Sequence, residues 1–405
     1  MTTQGTAAGL VDWRTVERLS ALIPAGPSAS RSARASSVAV LRRSAQEAPA
    51  WVARITGLNR AAQQVAESTR VSVVDRAGLV RASTRALRGL MEQVPAPRAS
   101  EAIQLVGAAE IAGAMSLLAT RLLGQVVPAA PSGPHGHGAG AADAAPPAGE
   151  GADDAAPATA PSRDVTMGAG WDGAASPHLL LVAPNVLAVR RQMDLDMLDL
   201  PAWVCLHEMT HAVQLAAAPW LGPYLSDSMR MVIGAVVEAV YGGADGAGGT
   251  SPRGRGSLPR RGRAVRLAAR AGRGRVLESL MNVTDRAEVA SLAAALTFLE
   301  GHAEVVLDDV HPNRMPSVHR LRAVLSRSRA ADGGIGPGPG LGSLLLHRLM
   351  GLEAKEAQYA DGAAFVRSVV TRIGHEGLNA VWADPELLPT PAELARPDVW
   401  VRRVS

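Results

Sequence analysis

The string His207-Glu208-Met209-Thr210-His211 has the form HExxH, and its chemistry follows from its spacing. In a helix four residues make just over one turn, so the two imidazoles project from one face and can reach a common point. Two neutral imidazoles converging in this way make a divalent-metal site, zinc above all. Glu208, roughly 100° round the helix, stands where it can bond a water in the metal's open position and take its proton. The expected cofactor is therefore Zn2+, although manganese, iron or cobalt could occupy the same set of ligands.

A zinc ion held by two histidines needs a third protein ligand, and Glu300 is the best candidate. It lies in Phe298-Leu299-Glu300-Gly301-His302-Ala303-Glu304, on a helix otherwise made of Ala, Leu and Val. A carboxylate in an apolar stripe costs free energy unless a partner compensates it. Glu304, four residues on and on the same face, is placed to accept the second ring N–H of a ligand histidine and fix its tautomer. Glu304 and His302 stand next in line as third ligand. Asp308 extends this acidic edge and could reach His302 or His311, or simply face solvent. His302, His311, His319 and Tyr359 could supply a transition-state donor, but each histidine reads first as a surface or capping residue. Cys205 points away from the two histidines and reads as a small buried hydrophobe.

These residues need elements to hold them. Pro201 opens a helix that runs to about Ala217 and Pro219 closes it, with Asp194, Asp196 and Asp199 upstream. The apolar run His178 to Ala183 (HLLLVA) is the best strand candidate and a possible pairing edge for an extended peptide. A second helical pattern covers Arg286 to Val310, followed by a turn at His311 to Pro316, a Gly/Pro loop at Gly333 to Gly342, helices to about Ile373 and a proline-rich tail, Ala383 to Pro397. Upstream, Trp13 to about Val127 reads as helix after helix. Three- and four-residue apolar spacing marks Trp51 to Glu92 and Ser100 to Val127, with Pro95 and Pro97 between them and a short packed helix at Val11, Trp13, Val16 and Leu19.

Composition sets the outer bounds. At 405 residues and 47% hydrophobic content the chain has a substantial core, and wholesale disorder is excluded. A net charge of +4 over this length is mild, so neither nucleic acid nor membrane is expected as partner. One cysteine excludes an intramolecular disulfide and a Cys-based zinc cluster, which suits a reducing cytosol. Met1 to Asp12 lacks the basic start and apolar run of a signal peptide, so a cytoplasmic location is expected. Ala102 to Thr120 has the length of a membrane span but carries Gln104 and Glu110, and reads as a core helix.

Residues 128–175 are rich in Ala, Gly, Pro and Asp with almost no large apolar side chain, and read as a disordered linker in which His135 and His137 are incidental. A second low-complexity stretch, 242–275, carries nine arginines from Arg253 to Arg275 and reads as a solvated insertion. The chain thus divides into a helical N-terminal region (1–127), the linker, and a metal-binding core (176–405) bearing the insertion.

HEMTH followed by LEGHAE resembles the gluzincin branch of the zincins, in which the third ligand is a glutamate on a second helix; the resemblance makes Glu300 that ligand. VDWRTVERLSALIPAGP, LVAPNVL, WVCLHEMTHAVQLAAAPWL and LNAVWADPELLPTP together resemble an actinobacterial family of zincin-like metallopeptidases associated with biosynthesis of a deazaflavin coenzyme. The resemblance implies an α+β, mainly helical zincin-like core with a small sheet. It implies a zinc metallopeptidase acting on a peptide or protein, with His207, His211 and Glu300 on the metal, Glu208 as base and Glu304 behind a ligand. The competing expectation is a non-catalytic zinc scaffold that binds a partner. A third, nucleic-acid binding through the arginine run, predicts salt-sensitive binding lost on removing it.

Overall fold

The computed structural model describes residues 5–127, 177–241, 283–332 and 357–404. The expected linker at 128–175, the arginine-rich insertion at 242–275 and the Gly333 to Gly342 loop lie outside the described residues.

The described residues form a mainly helical fold with two small sheets. In chain order the described elements are β1 (Gly5–Thr6), α1 (Trp13–Ser20), α2 (Arg31–Thr56), α3 (Asn59–Ser68), β2 (Arg70–Val74), α4 (Arg76–Glu92), β3 (Pro95–Ala96) and α5 (Glu101–Arg121). There follow β4 (Gly124–Val127), β5 (His178–Val182), α6 (Ala183–Gln192), α7 (Asp199–Ala217), α8 (Leu221–Tyr241), α9 (Val283–Asp308), α10 (Val318–Asp332), α11 (Ala357–Leu378), α12 (Pro391–Leu394) and α13 (Pro397–Val404). The proline-rich tail from Ala383 carries two short helices; Thr390 and Glu393 form a capping box at the start of α12.

The three-stranded sheet has the order β2-β5-β4. β5 pairs in parallel with β2, Leu180 opposite Ser72, and antiparallel with β4, Leu181 opposite Gly124. Its unbroken apolar run reflects burial on both faces. Leu179 and Leu181 enter a core with α2 and α7, while Leu180 and Val182 enter another with α4 and α5. Two expectations are corrected here. Arg70–Val74 and Gly124–Val127 are strands, not parts of helices: segments of five and four residues are too short for periodicity to tell one from the other. And β5 has both edges taken, so it cannot be the strand that an added peptide extends; among the described residues β4 is the edge strand nearest α7.

Helix α7 is buried on nearly every side, with Leu200, Trp203, Val204, Leu206, Met209, Ala212 and Val213 in the main core. Asp196 accepts the N–H groups of Leu198 and Asp199 at 2.7 and 2.9 Å, satisfying donors that the start of a helix leaves open. Asp199 in turn accepts both the backbone N–H and the hydroxyl of Ser317, tying the start of α7 to the turn before α10.

Helix α9 lies against α11 at a glycine crossing. A Cβ at Gly301 would stand 2.2 Å from the carbonyl carbon of Gly362, and one at Gly362 would stand 2.2 Å from the Thr297 carbonyl oxygen. Only hydrogen at both positions lets these backbones approach so closely. At the other end of α9, the Arg322 guanidinium donates to the carbonyls of Leu307 and Asp308, groups the helix cannot satisfy internally. α5 and residues 286–308 of α9 are long and apolar enough to cross a membrane by length and composition, one third and two thirds of the respective windows being buried inside the fold.

Candidate metal centre

The spacing of His207 and His211 on α7 and the depth of Glu300 on α9 bring three side chains to one point. His207 Nε2 and His211 Nε2 are 3.3 Å apart, their rings edge to face at 87°. The Glu300 carboxylate lies 3.4 Å from His207 Nε2 through Oε2 and 3.6 Å from His211 Nε2 through Oε1. Among the described residues this is the group of histidines and carboxylates that could hold a metal. Zinc bonds of about 2.0–2.2 Å, set tetrahedrally, place neighbouring ligand atoms about 3.3–3.6 Å apart. The separation of the two histidine nitrogens matches that edge length, as does the distance from each of them to one of the two Glu300 oxygens, so the donor set suits zinc in size as well as in chemistry.

Without a metal the same atoms form an ion pair. Burial alone would depress the His211 pKa, but the Glu300 charge and its hydrogen bonds outweigh that and raise it to about 9. Burial likewise pushes Glu300 up, and the two histidines overcome it to hold the carboxyl well below the usual range. Glu208 is 3% exposed. Burial raises its pKa to about 8, with the His211 charge opposing the shift and Glu300 adding to it.

Glu208 is positioned from below by β4. A Cβ on Gly124 would fall 2.6 Å from Glu208 Cγ and 3.0 Å from its Oε1. The glycine is therefore required by the side chain above it, a relationship that a single strand residue does not announce in sequence.

Gln214 bonds to Nδ1 of His211. Its Oε1 accepts from that nitrogen at 2.9 Å. Its Nε2 donates to the Leu299 carbonyl at 3.0 Å and to His302 Nδ1 at 2.9 Å. Sequence reasoning passed over Gln214, though a glutamine one turn beyond His211 in an apolar helix is a polar group that needs partners. His302, expected at a surface or cap, is fully buried; desolvation, with the nearby His375 and His211, lowers its pKa to about 3 and keeps it neutral.

Glu304, expected behind a ligand histidine, pairs with Arg367 at 3.3 Å. Asp308 joins the same network through Arg367 and Arg322. His311 accepts from the Asn313 backbone in the turn after α9, and His319 is exposed; the side chain of Tyr359 lies outside the described part. Cys205 is buried against the Leu41 carbonyl on α2, and burial drives its thiol pKa upward, as a small core residue requires.

The model of a family described as zincin-like metallopeptidase matches residues 11–401. Among solved structures, "a putative hydrolase with a novel fold" from Chloroflexus aurantiacus is similar over 97% of this chain and 98% of its own, at 20% identity and a TM-score of 0.54, a likeness of fold. No curated protein matches the chain.

Proposed function

The chain belongs to the zincin-like metallopeptidase family, and on that premise we propose that it is a zinc-dependent peptidase in which His207, His211 and Glu300 hold the metal and Glu208 is the base. The observation that carries this reading is the convergence of His207, His211 and Glu300 beside a buried carboxylate, with the two Nε2 atoms 3.3 Å apart, one Glu300 oxygen 3.4 Å from His207 and the other 3.6 Å from His211.

Zinc, when bound, supplies a Lewis acid that acidifies a water and polarises a scissile carbonyl. Glu208 takes the proton of the attacking water and passes it to the leaving amine. Gly124, by carrying no side chain, lets that carboxylate sit hard against β4. Among the described residues β4 is paired along one edge only, which supports an extended peptide lying against its other edge close to Glu208. The resemblance to a family associated with deazaflavin coenzyme biosynthesis adds the enzymes of such a pathway to the candidate substrates.

One observation favours the scaffold alternative: His207 and Glu208 are only 2% and 3% exposed, as a zinc clamp between α7 and α9 would require. Against it stands the cost of burying Glu208, which a purely structural site would not need. The zinc-loaded full chain should hydrolyse members of an internally quenched peptide library, and both a chelator and Glu208→Gln should abolish cleavage. A zinc-loaded protein inert toward the whole library would overturn the peptidase reading in favour of the scaffold.

A further inference from the structure

Gln214 joins both metal-bearing helices through three hydrogen bonds, and the chemistry of its amide fixes their direction. It is 1% exposed, and His302 beyond it is fully buried. The amide nitrogen has two hydrogens and no acceptor capacity, while the amide oxygen can only accept. The Leu299 carbonyl, 3.0 Å from Nε2, accepts only. It therefore selects the amide orientation, because the flipped amide would set oxygen against oxygen.

With that orientation fixed, the other contacts follow. Oε1 can satisfy His211 only if Nδ1 of that ring carries hydrogen. The second Nε2 hydrogen goes to His302 Nδ1, so the His302 proton sits on its own Nε2. That nitrogen has no hydrogen-bond partner among the described residues. The Trp382 ring lies edge to face with His302 at 5.3 Å between centroids, where an N–H can rest on an aromatic face.

We infer that Gln214, backed by His302, is a positioning residue for the metal: it holds the His211 proton on Nδ1, reserves Nε2 as the nitrogen that would bind the metal, and ties the ligand histidine to the backbone one residue before the ligand glutamate. The inference rests on the zinc reading above. The same contact holds α7 and α9 at the separation that the three ligand atoms need, since Leu299 and Glu300 move together.

The test compares zinc affinity, by chelator competition, in the full-length wild type, Gln214→Met and Gln214→Glu. Methionine fills the volume without an acceptor and should weaken zinc binding by about 10–100-fold, the usual effect of losing a ligand's outer partner. Glutamate restores an acceptor for His211 Nδ1 and should recover most of that loss, which a merely structural role would not. Nitrogen-15 spectra of the wild type should show His302 protonated at Nε2. If Gln214→Met fails to fold, that signature decides alone: Nε2–H supports the relay and Nδ1–H overturns it. Unchanged affinity in a folded Gln214→Met overturns the inference while leaving the zinc reading intact. Absence of zinc uptake by the wild type overturns both.

Discussion

Glu208 rests on Gly124 so closely that a methyl group on the strand residue would stand 2.6 Å from the glutamate Cγ. Gly124→Ala should therefore displace the proposed base while leaving the proposed metal ligands in place. We expect a folded protein destabilised by about 1–3 kcal/mol, with zinc content unchanged and peptide hydrolysis reduced about 100-fold, the usual scale for misplacing a catalytic group by an ångström. Urea unfolding, elemental analysis and a steady-state assay check the three parts. Full activity in Gly124→Ala would show that Glu208 does not need this position.

The crossing of α9 and α11 offers a second prediction. An alanine at Gly301 would meet backbone, not a flexible side chain, at 2.2 Å, so the helices must separate. The loss should sit at or beyond the upper end of the 1–3 kcal/mol typical of overpacking, about 3 kcal/mol or more. Zinc affinity should fall with it, because Gly301 follows Glu300 directly. Chemical denaturation and chelator competition measure both; a Gly301→Ala protein with wild-type stability would contradict the crossing.

The electrostatics of the centre predict a pH dependence. In the metal-free protein His211 holds its proton up to about 9 and Glu208 holds its proton up to about 8, against ordinary values of 6.5 and 4.5. Between the ordinary and raised values the folded chain binds more protons than the unfolded one, so stability falls as pH rises. Glu300 has the opposite sign: its contribution is present above 4.5 and is lost as pH falls through its depressed value. Metal-free protein should thus lose stability steadily from about pH 5 to 9. Stabilisation by added zinc should grow over the same range, since binding must displace the His211 proton. Thermal unfolding with and without zinc at several pH values reads both slopes; a metal-free protein that gains stability from pH 6 to 9 would contradict these shifts.

Much of the centre was legible in the sequence, for reasons particular to each residue. His207 and His211 share a helix, so their spacing alone sets their faces, and Glu300 stands out as a carboxylate in an apolar stripe. The Gln214 and His302 pair was not legible: their bond spans 88 positions and exists only because α7 and α9 cross there. The register of Glu304 suited a place behind a histidine; the ion pair it makes with Arg367 on another helix was not legible. Among the strands, β5 was visible as a short apolar run, whereas β2 and β4 were hidden by helical patterns around them and became strands through pairing with β5. That same pairing removed β5 as a peptide edge.

Metal content tests the central claim most directly. Elemental analysis of the purified full chain should find one equivalent of zinc in the wild type and in Glu208→Gln, and little in Glu300→Ala. Undiminished zinc in Glu300→Ala, or none in the wild type, would contradict a centre built from His207, His211 and Glu300.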